Sequence, residues 1–473
     1  MKVLLINPPR MDAHRMAKKV HPPLNLLYLA TALKNEGHDV DVMDANAADM
    51  TPEQVVDAAA ASAPGLIGYP LFSDILHQTT LLIRATRRRL PETPIVLGGI
   101  HVTADPRDNA ERIPEADFFI SGYAEQSLAM LVRALETGAG LDAVPSLTHR
   151  TPEGIRTNPD NPAKMDINAI PIPDRSLVRE YYDRHEYYQV LNARPFDTIV
   201  TGRGCPFTCS FCYNAVRPRT MTRSPDSVMD EIVYLYGRGV RFLDVDDDHF
   251  TFDRPRAMEI FKRLEREKMD LSLFIKARPN NVDDELIRAA ARAGVKIISY
   301  GIESGSQRLL DAMRKETNVE DNARVIAASQ AAGLQVHTGY LIGYPGETPE
   351  TIEETIRFAR ATKPDAVSLQ ILKPYLGTEV YEQAKADGTL VGSWDPDVPD
   401  WPWVRLPWTE SRDDLVKWGR VFYRKTYLRT RYAIAFPARI IKNANMRMFQ
   451  FAMQSLDDIL RPAPKSAQNR AAP

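Results

Sequence analysis

Cysteine is almost absent from this chain. Its 473 residues hold three, Cys205, Cys209 and Cys212, all inside the stretch TGRGCPFTCSFCYN at 201–214. An odd number of thiols crowded into one loop excludes a disulfide framework, which needs pairs spread along a small secreted chain. It points to the reducing cytoplasm, and no signal peptide is read at the start of the chain. An excess of one charge sign is also missing: 60 Lys and Arg face 62 Asp and Glu, a formal net charge of −2. No global basic field therefore argues for nucleic acid, and neither an OB-like run of strands nor an RNP motif is present. Long apolar runs are lacking too, since IVLGGIHV at 95–102 is far too short to span a bilayer. No repeat of solenoid type is found. What is present is a 44% hydrophobic content, which at this length can bury about two or three ordinary cores.

The first 145 residues alternate short apolar runs with amphipathic stretches. KVLLINPP, GHDVDVMDA (37–45), GLIGYP (65–70), PIVLGGI (94–100) and ADFFISG (116–122) read as buried strands. LLYLATALKNEG, EQVVDAAAAS and TTLLIRATRRRL between them read as helices, the first stopping at Gly37. Strand and helix in alternation, without hairpin dipeptides, predict an open parallel Rossmann-like sheet with its ligands at the carboxyl ends of the strands. Residues 146–190 are rich in Pro, Asn and Asp and read as a linker with room for a hairpin.

A second α/β series over 191–395 has six strand runs: 197–202, 240–248, 271–278, 295–304, 334–343 and 366–374. Ser224 with Pro225 starts one intervening helix, and Gly239, Gly294 and Gly333 each close one just before a strand. Six such units predict a partial (β/α)6 barrel, open on one side. Residues 396–473 follow as a helical, basic region ending in a disordered tail from 461. From Leu415 to Met448 it has nine Lys or Arg and no Asp or Glu, interleaved with Trp418, Phe422, Tyr423, Tyr427, Tyr432 and Phe436. The plainer expectation is a helix whose aromatic face packs on the barrel; the other is a peripheral contact with a membrane or an anionic substrate.

The spacing C-x3-C-x2-C sets three thiolates on one tight loop after a barrel strand. Structural zinc wants four closed ligands, and only a distant His249 or His337 could supply the fourth. An iron–sulfur cube held by three cysteines leaves one iron open to a ligand from outside the protein. On spacing alone both metals stand, zinc implying a binding module without catalysis.

Cys205-x3-Cys209-x-Phe211-Cys212, with an aromatic residue before the last cysteine, resembles the signature of the radical S-adenosylmethionine (SAM) enzymes. DVDDDHFTFD, ARPNNVDDELIRAAARAG, YGIESGSQRLLDAM, GYLIGYPGETPETIEET and KPYLGTEVYEQAKADG extend the resemblance across 195–385. It implies that Cys205, Cys209 and Cys212 ligate a [4Fe–4S] cluster whose open iron is chelated by SAM. Electron transfer from the cluster then cleaves SAM to methionine and a 5′-deoxyadenosyl radical, fed by a donor such as flavodoxin or ferredoxin. It further implies that the backbone at Phe211 lies against the adenine and that Asp246 and Asp247 receive the SAM amino group. Glu303 falls where the family touches the ribose, and Arg278 where a guanidinium meets the SAM carboxylate. The plain alternatives are an N-cap pair at 246–247 for a helix near Arg254, and ion pairs lining the barrel for Arg278 and Glu303. Arg203 reads as local charge balance.

The domain order is similar to a branch of that family whose first domain is of the cobalamin-binding type. HPPLNLLYLATALKNEGHDVDVMDA and VLGGIHVTADP carry the likeness, with Gly98, Gly99 and His101 as candidate cobalamin contacts. ISGYAEQSL stands where the branch has a Gly-Glu-Gly-Glu-like turn. A protein histidine on cobalt would use D-x-H-x-x-G, but Asp12-x-His14-x-x-Ala17 lacks the glycine, so the expectation is no histidine on the metal. With no cysteine left for auxiliary clusters or a cysteine relay, the resemblance implies methylation of an unactivated carbon or of phosphorus in a small molecule or lipid. One SAM methylates cob(I)alamin and a second supplies the radical. A rearrangement, cyclisation or transfer of another SAM fragment is the alternative.

Overall fold

The computed structural model describes residues 1–10, 20–160, 166–187, 194–213 and 220–427. Asp12, His14 and Ala17, the tail from 428 on, and therefore part of the basic aromatic stretch, lie outside the described residues. The first apolar runs become strands β1 (Lys2–Asn7), β2 (Asp39–Asp44), β3 (Leu66–Pro70), β4 (Ile95–Gly98) and β5 (Phe118–Ile120). They pair in parallel in the order β2-β1-β3-β4-β5. Because β1 is covered on both faces its alternating residues serve two cores. Val3 and Leu5 pack with the helices Leu24–Asn35 and Glu125–Thr137, while Leu4 and Ile6 pack with Pro52–Ser62 and Leu76–Arg89. This order switches direction between β1 and β3, and in open α/β sheets the crevice beyond that point is where ligands bind.

The sheet does not stop near 145. A hairpin of β6 (Leu147–Thr151) and β7 (Gly154–Thr157) adds two antiparallel strands beyond β5, turning at Gly154 with φ 123°. The described part of the rest of the expected linker, 166–187, is a wedge between the two domains. The Tyr181 hydroxyl accepts from the Asp44 backbone N–H (3.1 Å) and the Tyr187 hydroxyl donates to the Asp44 carboxylate (3.0 Å). Arg175, wholly buried, donates to the Thr198 carbonyl (2.8 Å) and pairs with Glu231 (2.8 Å) in the second domain.

The second sheet has six parallel strands, as the sequence predicts: β8 (Phe196–Ile199), then, after the small ribbon of β9 (Gly202–Arg203) and β10 (Met221–Thr222), β11 (Phe242–Val245), β12 (Ser272–Ala277), β13 (Val295–Glu303), β14 (Gln335–Ile342) and β15 (Ala366–Ile371). Helices Pro225–Gly237, Arg254–Glu267, Asp284–Arg292, Val319–Ala331 and Pro349–Thr362 cover its outer face. Ser224 caps the first of them, and Gly239, Gly294 and Gly333 turn out of helices at φ 93°, 94° and 83°. Asp253 caps Arg254–Glu267, so the cap reading of Asp246 and Asp247 does not hold.

Past β15 the chain crosses back to the first domain. Lys373 pairs with Asp74 (2.8 Å), Trp394 packs into the core beside β3 and β4, and Asp397 pairs with Arg84. The helix Arg412–Tyr427 then lies along edge strand β15, where the Leu369 and Val367 backbone N–H groups donate to the Tyr423 and Tyr427 hydroxyls (both 2.8 Å). Its aromatic face is thus spent on covering an open strand edge. No helix among the described residues is long and apolar enough to cross a membrane.

Candidate active site

The three cysteines lie on the loop that leaves β9 at the carboxyl end of the barrel. The loop is fixed by its non-cysteine residues. Gly204 turns at φ 78° and its N–H donates to Asp248 (3.0 Å). Ser210, between two cysteines, is held at three points: its N–H on the Met313 carbonyl (3.1 Å), its hydroxyl on Tyr344 (2.7 Å), and its carbonyl on the Val380 N–H (3.0 Å). The Cys212 N–H closes a turn onto the Cys209 carbonyl (3.0 Å). Cys209 is buried, whereas Cys205 and Cys212 are half-buried. Burial pushes the Cys205 thiol up, and the Phe207 N–H and the Arg278 charge oppose it. The Phe211 side chain anchors in the apolar cluster of Leu309, Met313, Tyr344 and Val380, leaving its backbone as the part that can face a ligand.

Arg278 comes to this loop from the end of β12. Its Nη1 lies 3.2 Å from the Cys209 sulfur and its guanidinium sits over Phe207, 3.7 Å from the ring centroid. Nη2 is buried with no partner. A buried guanidinium nitrogen facing nothing is costly, and a carboxylate or sulfide beside the cysteines would satisfy it. The donor set fits a cluster with a bound amino acid.

The three consecutive aspartates after β11 are pulled three ways. Asp247 is 2% exposed and accepts from the Thr201 N–H (2.6 Å), the Thr201 hydroxyl (2.5 Å) and the Gly202 N–H (3.0 Å). Burial lifts its carboxyl to about 6 despite those bonds. It binds the backbone entering the cysteine loop, so its predicted contact with the SAM amino group is corrected. Asp246 points into the barrel mouth and pairs with Lys276. Asp248, which the sequence reading passed over inside the same DDD run, touches Gly204 and is close enough to Cys205 to act on its charge.

Glu303 sits at the end of β13 at a register shift, with φ 65°, a left-handed conformation that a non-glycine residue adopts at a cost of about 1–3 kcal/mol. Its carboxylate is held by Lys315 (2.8 Å), and a side chain at Gly301 would land 2.6 Å from it. Lys315 was not legible in the sequence, because it returns to the site only through the fold. Arg203 does more than balance charge: it donates to Glu125 of the first domain (2.6 Å) and stacks on Tyr28 and Tyr123 (5.0 and 4.7 Å). Glu125 and Tyr123 belong to the ISGYAEQSL turn.

Neither histidine offered as a fourth zinc ligand joins the cysteines. His337 is the third residue of β14, its ring edge-on to Phe274, and it is not on the cysteine loop. His249 packs on Phe207 and Phe252, with Nε2 on the Thr251 hydroxyl (3.2 Å), and burial holds it at about 3. Among the described residues no three His, Cys, Asp or Glu side chains converge on a single-ion site.

At the carboxyl edge of the first sheet, Gly99 adopts φ 98° and a Cβ there would meet the Leu71 carbonyl at 2.9 Å. Glycine is needed so that the loops after β3 and β4 can interlock, Leu71 donating to the Gly98 carbonyl (2.7 Å) and the His101 N–H to that of Leu71 (3.2 Å). A Cβ at Gly98 would make ordinary contact with the Ile120 carbonyl at 3.7 Å, so that position would take a small side chain without strain. His101 is 3% exposed, its Nδ1 bonded to Ser73 (2.9 Å) and its ring edge-on to Trp394 (6.2 Å). Burial lowers its pKa to about 4. The structure gives this histidine a place in the domain junction and not on an open ligand face.

Comparison with known proteins agrees with both halves of this geometry. The radical SAM superfamily model matches residues 199–359 and the B12 binding domain model residues 15–132. An uncharacterized methyltransferase of Pyrococcus horikoshii is 29% identical over 439 residues, 92% of this chain and 94% of the relative. The anaerobic magnesium-protoporphyrin IX monomethyl ester cyclase of Rubrivivax gelatinosus is 28% identical, covering 81% of this chain and 70% of its own. Among solved structures, the radical SAM methyltransferase TsrM of Kitasatospora setae, with cobalamin and a [4Fe–4S] cluster bound, superposes with a TM-score of 0.67 at 22% identity, over 83% of this chain and 76% of its own. A B12-binding sheet followed by a six-stranded barrel with a three-cysteine loop makes this chain a member of the radical SAM superfamily, in the branch that carries a B12-binding domain ahead of the radical SAM core.

Proposed function

We propose that the protein is a cobalamin-dependent radical SAM methylase acting on a small molecule or lipid. The observation that carries methyl transfer is the near end-to-end likeness to the Pyrococcus methyltransferase, 92% of one chain against 94% of the other. Cys205, Cys209 and Cys212 would ligate the [4Fe–4S] cluster, with SAM as the ligand from outside the protein. Arg278, with one nitrogen on Cys209 and one free, takes the SAM carboxylate. Asp248 takes the amino group in place of Asp247, since a carboxylate beside an ammonium favours both charged forms. Glu303, held by Lys315, faces the ribose, and the Phe211 backbone the adenine. Gly98, on the carboxyl edge of the first sheet, is where the corrin ring approaches the backbone. When bound, the cluster supplies the electron that cleaves SAM to a deoxyadenosyl radical, and the corrinoid carries the methyl group. A one-electron donor of the flavodoxin or ferredoxin kind would refill the cluster.

The Rubrivivax cyclase favours a second reading, radical chemistry without methyl transfer. Incubation of the anaerobically reconstituted protein with methyl-labelled SAM and a reductant separates the two. Label in the bound corrinoid together with deoxyadenosine is the expected result. Deoxyadenosine with an unlabelled corrinoid would favour the cyclase-like reading.

A further inference from the structure

The inner face of the barrel carries groups that the cluster and SAM leave unused. Ile275, Ile298, Tyr300, Val336 and Val367 pack outward with the helices, so their neighbours along each strand point inward. Phe196, Phe242, Phe274 and Ile297 form an apolar floor. Lys276, Ser299 and His337 share the next inward register row, and Gly301, Gly339 and Ser368 the row above. A closed barrel fills such rows with bulky branched side chains. Here Ser299, Gly339 and Ser368 are only partly buried in the middle of their strands, and a Cβ added at Gly339 would come no nearer than 3.7 Å to the Ser368 hydroxyl. The walls are small, polar and open.

One ion pair stands in this space. Lys276 and Asp246 bond each other, with side chains 40% and 50% exposed, so both charged ends can be reached from the lumen. Burial would lower the Lys276 ammonium, but the carboxylates of Asp246, Asp244 and Asp248 outweigh it and hold the charge. Three carboxylates around one ammonium disfavour a simple anion, and an apolar ligand would displace water from a charged pair without offering it a hydrogen bond.

Resting on the methylase reading, and with the barrel lumen as the place a radical SAM substrate occupies, we propose that the Lys276–Asp246 pair sets the substrate's class, taking a polar group that offers Lys276 an oxygen acceptor and Asp246 a donor while an apolar part lies toward the aromatic floor. An α-amino acid zwitterion and a vicinal diol share that chemistry. The reconstituted full-length protein, with SAM bound, is titrated by equilibrium dialysis with a mixture of α-amino acids, a mixture of free sugars, and laurate. The expected result is saturable binding of one polar mixture, amino acids marking the zwitterion and sugars the diol. Both Lys276→Met and Asp246→Asn weaken it about tenfold or more while labelled SAM is retained. Binding of laurate alone, binding of no probe, or polar binding unchanged in both variants overturns the proposal. So does loss of SAM in Asp246→Asn, which would return Asp246 to the SAM site. Failure of the methylase reading shows separately, as missing corrinoid or an unlabelled one in the same preparations.

Discussion

The carboxyl edges of the two sheets are built by different means. At the barrel edge named side chains sit on one loop and around it: three cysteines, a guanidinium with a free nitrogen beside one of them, a strained glutamate held by a lysine. At the edge of the first sheet the described residues contribute mainly shape, a Gly98 with room for a small side chain and a Gly99 around which two loops interlock, and its one conspicuous histidine is buried and bonded to Ser73. A cluster and an amino acid need charges and thiolates at defined points, whereas a large flat macrocycle can be received by backbone contour. Substitutions at the barrel edge should therefore abolish binding outright, and those at the edge of the first sheet should act through packing.

The sharpest break is at the cysteines. Alanine at any of Cys205, Cys209 or Cys212 should remove the cluster, with iron falling from about four per chain to near zero in anaerobic metal analysis. Next comes the contrast between neighbours. Asp248→Asn should weaken SAM binding about tenfold or more with little change in melting temperature. Asp247→Asn, which disturbs a buried carboxylate accepting three hydrogen bonds, should lower stability by about 2–4 kcal/mol in thermal unfolding.

His101 extends the comparison to pH. Its folded value of about 4 lies below the free value of 6.5, so the unfolded chain binds the proton first as pH falls. Stability present above pH 6.5 is then lost between 6.5 and 4, by roughly 3 kcal/mol, and His101→Gln should flatten that part of the profile. Smaller is Gly99→Ala, which sets a Cβ 2.9 Å from the Leu71 carbonyl and should cost about 1–3 kcal/mol and some corrinoid. Gly98→Ala should cost under about 0.5 kcal/mol, and a fall in its corrinoid content alone would place the ring on that edge.

The same contrast governs what was legible in the sequence. The barrel was readable because helix stops at Gly239, Gly294 and Gly333 each precede a strand, and the loop because all three cysteines crowd into eight positions. The roles within DDD were not readable, since one residue of register decides whether a carboxylate faces the backbone, the cysteines or the lumen. Lys315, twelve residues from Glu303, and Glu125, 78 from Arg203, meet their partners only through tertiary structure. The linker composition left room for the hairpin at 147–157, but not for its joining the first sheet beyond β5, which depends on a pairing between strands that the turn residues do not encode.

The most direct test of the account is the cofactor content of the full chain, reconstituted without oxygen in iron, sulfide and hydroxocobalamin, with iron and corrinoid quantified together. About four irons and one corrinoid per chain, with SAM altering the spectrum of the reduced cluster, is the predicted result. A complete cluster that retains no corrinoid would contradict it, leaving the first domain a shape without its ligand.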